Sequence, residues 1–426
     1  MEIRSSLLKN VIYDRHAVIR QMDISPREYT FEPNGNYVLT GLRRAGKSTL
    51  LYGIVQDLIK SGLSWDRIIY INFEDERLAE FTVADFDKII SVQAEMSAEK
   101  GIFFFDEIQI VDGWERFARR LADAQEHVYI TGSNAKMLSR DVERALGGRY
   151  LSKHVRPFNF REYLCAMDQP FDDAHLLQTR ARGKIIKAFD GYLTFGGFPE
   201  SLRYVSKREY VSSIYQNILL GDIIARNSVR NVSALQLVIK KIAESVREPI
   251  SFTKLYGIIN AIGLKVSKDT IIDYVRYAED AYLIFELHDY YAKFVARESN
   301  SKYYFSDNGL LNLFLDDKAS ALLENIVAIT LLSWCGADLY YLKSAKTGID
   351  VDFFDARSKT AVQVAYELSA SSRQREVSSL VKLAKEDRQV ARFIIVTYDQ
   401  KDTIRQDGVT IKVIPAYRFC LHDGMI

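Results

Sequence analysis

Gly41-Leu42-Arg43-Arg44-Ala45-Gly46-Lys47-Ser48 follows the spacing G-x-x-x-x-G-K-[ST] at every fixed position, a layout suited to a polyphosphate. The two glycines let the backbone turn tightly and bring its N–H groups against phosphate oxygens. A helix opening at Lys47-Ser48-Thr49 adds the partial positive charge of its N-terminus. Lys47 would sit on the β- and γ-phosphates, and the Ser48 hydroxyl would ligate Mg²⁺. A second group, Gly101-Ile102-Phe103-Phe104-Phe105-Asp106-Glu107, places two acids behind an apolar run. Asp106 would hold Mg²⁺, directly or through water, and Glu107 would orient and polarise the attacking water. Third, Val128-Tyr129-Ile130-Thr131-Gly132-Ser133-Asn134 ends in small polar groups. Ser133 or Asn134, with Thr131 as an alternative, suits contact with the γ-phosphate or the water; the competing reading is a helix cap. Arg149, after Gly147-Gly148, could meet phosphate charge within its own chain or from a neighbouring subunit. Arg43 and Arg44 could do similar work or bind a partner.

These groups need a frame that brings them together. Tyr37-Val38-Leu39 leads into the loop, and Thr49 to Ile59 reads as the helix leading out. Leu7, Leu8, Val11, Ile12 and Arg15 at helical spacing predict a leading helix, with Pro26 ending that segment. Strands near 67–73, 101–105 and 128–130 alternate with helices near 83–93 and 114–124. Such alternation predicts a parallel sheet with helices on both faces. The apolar run before Asp106 is then a central strand, and both acids emerge at its carboxyl end.

The totals narrow the class. A chain of 426 residues is long for one domain. Apolar content of 48% and charged content of 27% are those of an ordinary globular protein. A net charge of +1 supplies no global field for nucleic acid or an anionic membrane, so any nucleic-acid surface must be local. Cys165, Cys335 and Cys420 are far apart, with no C-x-x-C pair, which argues against zinc and disulfide scaffolds and fits a reducing cytoplasm. Met1-Glu2-Ile3-Arg4 leads into mixed polar residues rather than a signal-peptide core, and no uninterrupted apolar run approaches the ~20 residues of a membrane span.

The loop G-L-R-R-A-G-K-S, Asp106-Glu107-Ile108-Gln109 with Trp114, Thr131-Gly132-Ser133, Gly148-Arg149 and Arg156-Pro157-Phe158-Asn159-Phe160-Arg161-Glu162-Tyr163 together resemble a prokaryotic family of AAA-type P-loop ATPases. Its members join the ATPase to a C-terminal domain of unknown function. Later landmarks agree: Gly196-Gly197-Phe198-Pro199-Glu200, Tyr304-Phe305-Ser306-Asp307-Asn308-Gly309-Leu310, and Leu323-Glu324-Asn325 with Val351-Asp352-Phe353. The resemblance spans most of the chain and implies ATP binding and hydrolysis. It supplies no biological task.

The expected fold is α/β, a P-loop NTPase sheet in residues 1–160, followed by three further segments. Residues 161–231 read as a helical lid or connector, in which Asp222 and Arg226 form an i,i+4 pair. Residues 232–318 show helices near 234–245, 252–261 and 268–278, capped by Ser251 and Ser267, then strands near 282–287 and 302–305. Three helices and a β-ribbon are a winged-helix layout, whose third helix could enter a DNA groove. Yet 232–290 carries seven Lys/Arg against eight Asp/Glu, a net of −1. Residues 319–426 read as helix, β-meander, helix and strand, similar to the PD-(D/E)-x-K nuclease fold. Glu324 and Asp352 match its acids, with Asp350 as a spare. The expected lysine is missing from Gln363-Val364-Ala365, which argues against cleavage.

The sequence thus leads us to expect a cytoplasmic, Mg²⁺-dependent ATPase with no membrane association and with the capacity to form oligomers. Two alternatives stand beside it. ATP could switch recognition of DNA or a protein partner by the C-terminal half, or could drive a nuclease.

Overall fold

The computed structural model describes residues 3–132, 140–292, 300–316 and 319–421. The chain divides into two compact units, residues 1–157 and 158–426.

In the first unit, α1 (Ser5–Gln21) precedes β1 (Tyr37–Thr40), α2 (Lys47–Lys60), β2 (Ile68–Asn72), α3 (Phe86–Met96), β3 (Ile102–Asp106), α4 (Trp114–Asp123), β4 (His127–Gly132), α5 (Arg140–Leu146) and β5 (Leu151–His154). The strands form one parallel sheet in the order β2-β3-β4-β1-β5. The period-2 alternation of side chains explains its two covered faces. Val38, Ile69, Ile71, Phe103, Phe105, Val128 and Ile130 point to the side packed by α1, α3 and α4. On the other side, where α2 lies, Tyr70, Phe104, Tyr129 and Tyr37 stack across neighbouring strands with centroids 5.9, 4.9 and 5.7 Å apart. The α/β reading with helices on both faces therefore holds. β5 was not foreseen: Leu151-Ser152-Lys153-His154 is a polar edge strand without an apolar alternation.

The second unit begins with α6 (Phe160–Cys165), α7 (Asp173–Leu177), α8 (Thr179–Phe195) and α9 (Lys207–Asn217). Ile218–Ala225 continues α9 as a π-helix rather than a regular one. Asp222 and Arg226 nevertheless pair at 3.8 Å. Next come α10 (Val232–Glu244), β6 (Ile250–Ser251), α11 (Phe252–Ala261), α12 (Lys268–Asp280), β7 (Ile284–Leu287) and β8 (Asn300–Phe305). Ser251 and Ser267 cap α11 and α12 by accepting from the Lys254 and Thr270 N–H groups. The three strands form an antiparallel sheet, β6-β8-β7.

After α13 (Asn308–Leu311) and α14 (Ala319–Cys335), a mixed sheet is built from β9 (Leu339–Ser344), β10 (Ile349–Asp355), β11 (Thr360–Val364), β12 (Arg392–Thr397), β13 (Asp402–Gln406) and β14 (Val409–Pro415). Its order is β13-β14-β12-β11-β10-β9, with α15 (Ala370–Glu386) on one face. The last two strands extend the sheet beyond what the sequence pattern suggested.

The landmarks Gly196-Gly197 and Asp307-Asn308-Gly309 are explained by a buried polar network. Asp307 accepts from the N–H groups of Gly197 (2.7 Å) and Gly309 (2.8 Å). Asn308 donates to the Leu193 and Leu322 carbonyls, and Asn325 donates to the Asn308 side chain and the Phe305 carbonyl. At Gly196, with φ +77°, a Cβ would meet the Asp307 carboxylate.

One helix bears on the expectation about apolar runs, although Glu324 and Asn325 interrupt its apolar sequence. Among the described residues, the stretch Ala319–Asp338 is long and apolar enough to cross a membrane. Half of that stretch is buried, and Glu324 and Asn325 sit on it with polar partners, as in a core helix.

Candidate active site

β1 delivers the chain to the phosphate loop at the carboxyl edge of the first sheet. Gly41 has φ +143°, and a Cβ there would collide with the Val155 carbonyl oxygen just beyond β5. Gly46, at φ +95°, turns the chain into α2, whereas Arg44 adopts φ +65° without being glycine. The buried Leu42 side chain anchors the loop. We expect Gly41→Ala to weaken ATP binding ten- to a hundredfold, because about 1–3 kcal/mol of backbone strain must be relieved by moving the loop. An equilibrium titration with ATP checks this; unchanged affinity would contradict the close approach.

Lys47 is buried in the first turn of α2. Its Nζ donates to the carbonyls of Gly41 (3.1 Å) and Leu42 (3.2 Å), so the ammonium is held inside the loop's curve. Ser48, one residue on, lies near enough to Asp106 to lower its pKa. Asp106 is fully buried at the end of β3, and its other partners are Thr131 Oγ1 on Oδ1 (2.5 Å) and the Tyr70 hydroxyl on Oδ2 (3.0 Å). Burial, then the charge of Glu107, push its pKa up, and these hydrogen bonds oppose the shift. A carboxylate beside a hydroxyl is a hard-oxygen donor pair, so the residues present fit Mg²⁺.

Glu107 lies just past β3 at φ +54°. Its N–H donates to Thr131 Oγ1 (3.0 Å), and its carboxylate accepts from Gln109 Nε2 (2.5 Å). Thr131 thus links the two acids, donating to one and accepting from the backbone of the other. Ser133 and Asn134, the preferred γ-phosphate contacts, lie outside the described residues. Thr49 follows in the first turn of α2.

Arg149 does not join this group in its own chain. It precedes β5, at the amino edge of a parallel sheet whose carboxyl edge carries the loop. There it pairs with Asp123 at the end of α4 and donates to the Gly147 carbonyl (3.1 Å). Sequence proximity to β4 concealed that change of edge.

Several residues of the site were not singled out from sequence. Glu74 follows β2, whose Asn72 is in register with Asp106. Much of its surface is exposed, yet partial enclosure of the carboxyl and the charge of Glu107 raise its pKa, against Arg43 and Arg44. His154 ends β5, and its pKa is pushed down to about 3 by burial, then by Arg156 and Lys47. It is therefore neutral at ordinary pH and adds no charge beside the ammonium. Arg27 donates to the carbonyls of Ala45 (3.1 Å) and Arg156 (2.6 Å), and the Tyr29 hydroxyl donates to the His154 carbonyl (3.2 Å). This strap fastens the segment before β1 to both the loop and the end of β5. Lastly, Arg15 donates to the Tyr52 hydroxyl (3.0 Å), and the Tyr52 ring packs with its centroid 5.2 Å from that of Tyr70, whose hydroxyl reaches Asp106.

Residues 34–164 match a family described as AAA domain, and residues 186–321 match a Domain of unknown function (DUF8612). The chain is 30% identical over 430 residues to the uncharacterized protein MJ1544 of Methanocaldococcus jannaschii, covering 97% of this chain and 95% of that one. An uncharacterized protein of Haemophilus influenzae is 30% identical over 343 residues, or 78% and 82% of the two chains. Among solved structures, the Walker-type ATPase PABY2304 of Pyrococcus abyssi aligns with a TM-score of 0.43 at 14% identity, over 70% of this chain and 99% of that one.

Proposed function

Because this chain belongs to the same family as the uncharacterized protein MJ1544 of Methanocaldococcus jannaschii, and its residues 34–164 match an AAA domain, we propose that its first unit binds and hydrolyses ATP with Mg²⁺. The observation that carries this reading is that Ser48 comes close enough to the buried Asp106 to lower its pKa, beside the buried Lys47. Motif positions far apart in sequence meet there as one ammonium, one hydroxyl and one carboxylate.

Residues 41–49 cradle the phosphates with backbone N–H groups, and Lys47 exchanges its two carbonyl partners for β- and γ-phosphate oxygens. Ser48 and Asp106 would hold Mg²⁺, which supplies neutralisation of the developing phosphate charge. Glu107 orients water and accepts its proton. Asn134 or Ser133 contacts the γ-phosphate, and Arg149, paired with Asp123 in its own chain, would act from a neighbouring subunit. ATP is preferred to GTP on the family resemblance, and the chain has no N/T-K-x-D guanine-reading motif. Calorimetric titration of Mg²⁺–ATP should show saturable binding near one nucleotide per chain; absence of binding by any nucleoside triphosphate would overturn the reading.

A second reading, nucleotide-controlled binding of DNA by residues 158–426, is favoured by a groove on the last sheet. A cavity of about 600 Å³ there is lined by Arg392, Lys401, Lys412 and Arg418, with Asp402 as the opposing charge. Within this unit we keep a helical connector to 231, a winged-helix-like segment at 232–318 and a nuclease-like segment from 319. The groove, unlike the acidic α12, offers phosphate-binding charge. We expect Lys401→Glu with Lys412→Glu to abolish retention on duplex DNA at low salt, and wild-type retention to fall steeply as salt rises. Wild-type protein that is not retained at low salt would remove this reading. The three free cysteines fit a cytoplasmic setting.

A further inference from the structure

The second unit places a lysine where the nuclease-like pattern seemed to lack one. It comes from β8, not from β11. Lys302 Nζ lies 3.3 Å from Glu324 Oε1 and 3.2 Å from Asp352 Oδ1, and the side chain is almost fully buried.

The other carboxylate oxygens are also engaged by protein donors. The Tyr304 hydroxyl donates to Glu324 Oε1 (2.9 Å), and Arg247 Nε donates to Oε2 (3.2 Å). Asp352 Oδ2 accepts from the Val364 N–H (2.9 Å). Gln363 is committed as well, donating to Glu376 (2.6 Å) and accepting from the Asp352 N–H (3.3 Å). Two cations, Lys302 and Arg247, thus face these two acids without any ion, and burial, then the charge of Asp352, push the Glu324 pKa up to about 7.

A hard dication needs six or more oxygen donors, several of them from water or carboxylates with free lone pairs. Each of these four carboxylate oxygens already accepts from a protein donor, whether an ammonium, a guanidinium, a phenol or a backbone amide. Among the described residues, no group of three or more His, Cys, Asp or Glu is arranged to hold a metal. The metal that a nuclease-like fold implies therefore does not fit the residues present.

We propose that Lys302 takes the place of that ion, making Glu324–Lys302–Asp352 an internally neutralised joint instead of a cation-dependent cleavage centre. The joint fastens β8 to α14 and β10, so the winged-helix-like and nuclease-like segments are tied by one buried ammonium. Both carboxylates keep Lys302 charged, its pKa held above the ordinary lysine value despite burial. The partners explain why a lysine from a distant strand serves: its long stem reaches through the apolar interior, and the Tyr341 ring lies 5.7 Å from Nζ.

The test is Mn²⁺ uptake by the nucleotide-free full chain, followed by the resonance of free Mn²⁺. Wild type and Glu324→Gln should take up equal amounts. Lys302→Ala should unfold about 10 °C lower in EDTA, gain one Mn²⁺ over wild type and recover thermal stability with it. Lys302→Ala with Asp352→Asn should lose that gain. Wild-type uptake that Glu324→Gln removes would overturn the proposal, as would a folded Lys302→Ala that gains no ion. Should Lys302→Ala fail to fold, the wild-type and Glu324→Gln comparison still decides.

Discussion

Lys47→Ala is expected to lower ATP turnover on the order of 10²–10³-fold or more, with a clear loss of ATP affinity and little change in thermal stability. The ammonium is buried, and it donates to two carbonyls of the loop it serves. Both bonds are local, so their loss removes little that holds the sheet together. The functional loss is larger because a buried positive charge acts on phosphate through a poorly screened medium. Alanine supplies no replacement, and His154 cannot substitute, since burial keeps it neutral. Phosphate release measured at saturating ATP, beside a thermal melt, checks both parts. Turnover within about tenfold of wild type would contradict the role given to Lys47.

Glu107→Gln should separate binding from hydrolysis. We expect turnover to fall roughly 10²–10⁴-fold while ATP affinity stays within a few-fold of wild type. We propose Glu107, and not Asp106, as the base because their surroundings differ. Asp106 is fully buried, with Thr131 and Tyr70 fixing the orientation of its carboxylate and the Ser48 hydroxyl nearby as a second oxygen donor. Glu107 is half-buried, with Gln109 on its carboxylate and Glu74 as an acidic neighbour. Glutamine keeps the shape and the contact to the loop but cannot take a proton. Rapid-quench turnover and equilibrium binding, measured together, check the separation; equal losses in both would show that Glu107 serves binding instead.

What could be read from the amino-acid order was local in kind. Gly41 to Ser48 needs only its own spacing, and Asp106-Glu107 needs only the apolar run before it. The sheet topology then follows from strands alternating with helices. Groups assembled across the sheet were not legible. Glu74 enters because Asn72 pairs in register with Asp106, and Arg27 because its side chain reaches two carbonyls 18 and 129 positions away. β5 is polar and lies at an edge, so no hydrophobic period announced it. Arg149 shows the opposite failing: closeness in sequence to β4 suggested the phosphate site, while parallel strand direction sets it at the other edge. Lys302 is the same lesson in the second unit, where a lysine sought on β11 is supplied by β8.

The series of contacts Arg15–Tyr52–Tyr70–Asp106 also links α1 to the site. Burial of the two phenols raises their pKa values, Tyr70 most strongly, so both remain protonated donors across ordinary pH. Asp106 is thus held in one orientation before any ion arrives, which lowers the ordering cost of metal binding.

The central claim is that Lys47, Ser48, Asp106 and Glu107 together make a Mg²⁺-dependent ATPase. Steady-state phosphate release from ATP by purified wild-type protein, with Mg²⁺ and then with excess EDTA, tests it most directly. Turnover should require Mg²⁺ and stop in EDTA. Undetectable release with Mg²⁺, or release unaffected by EDTA, would contradict it.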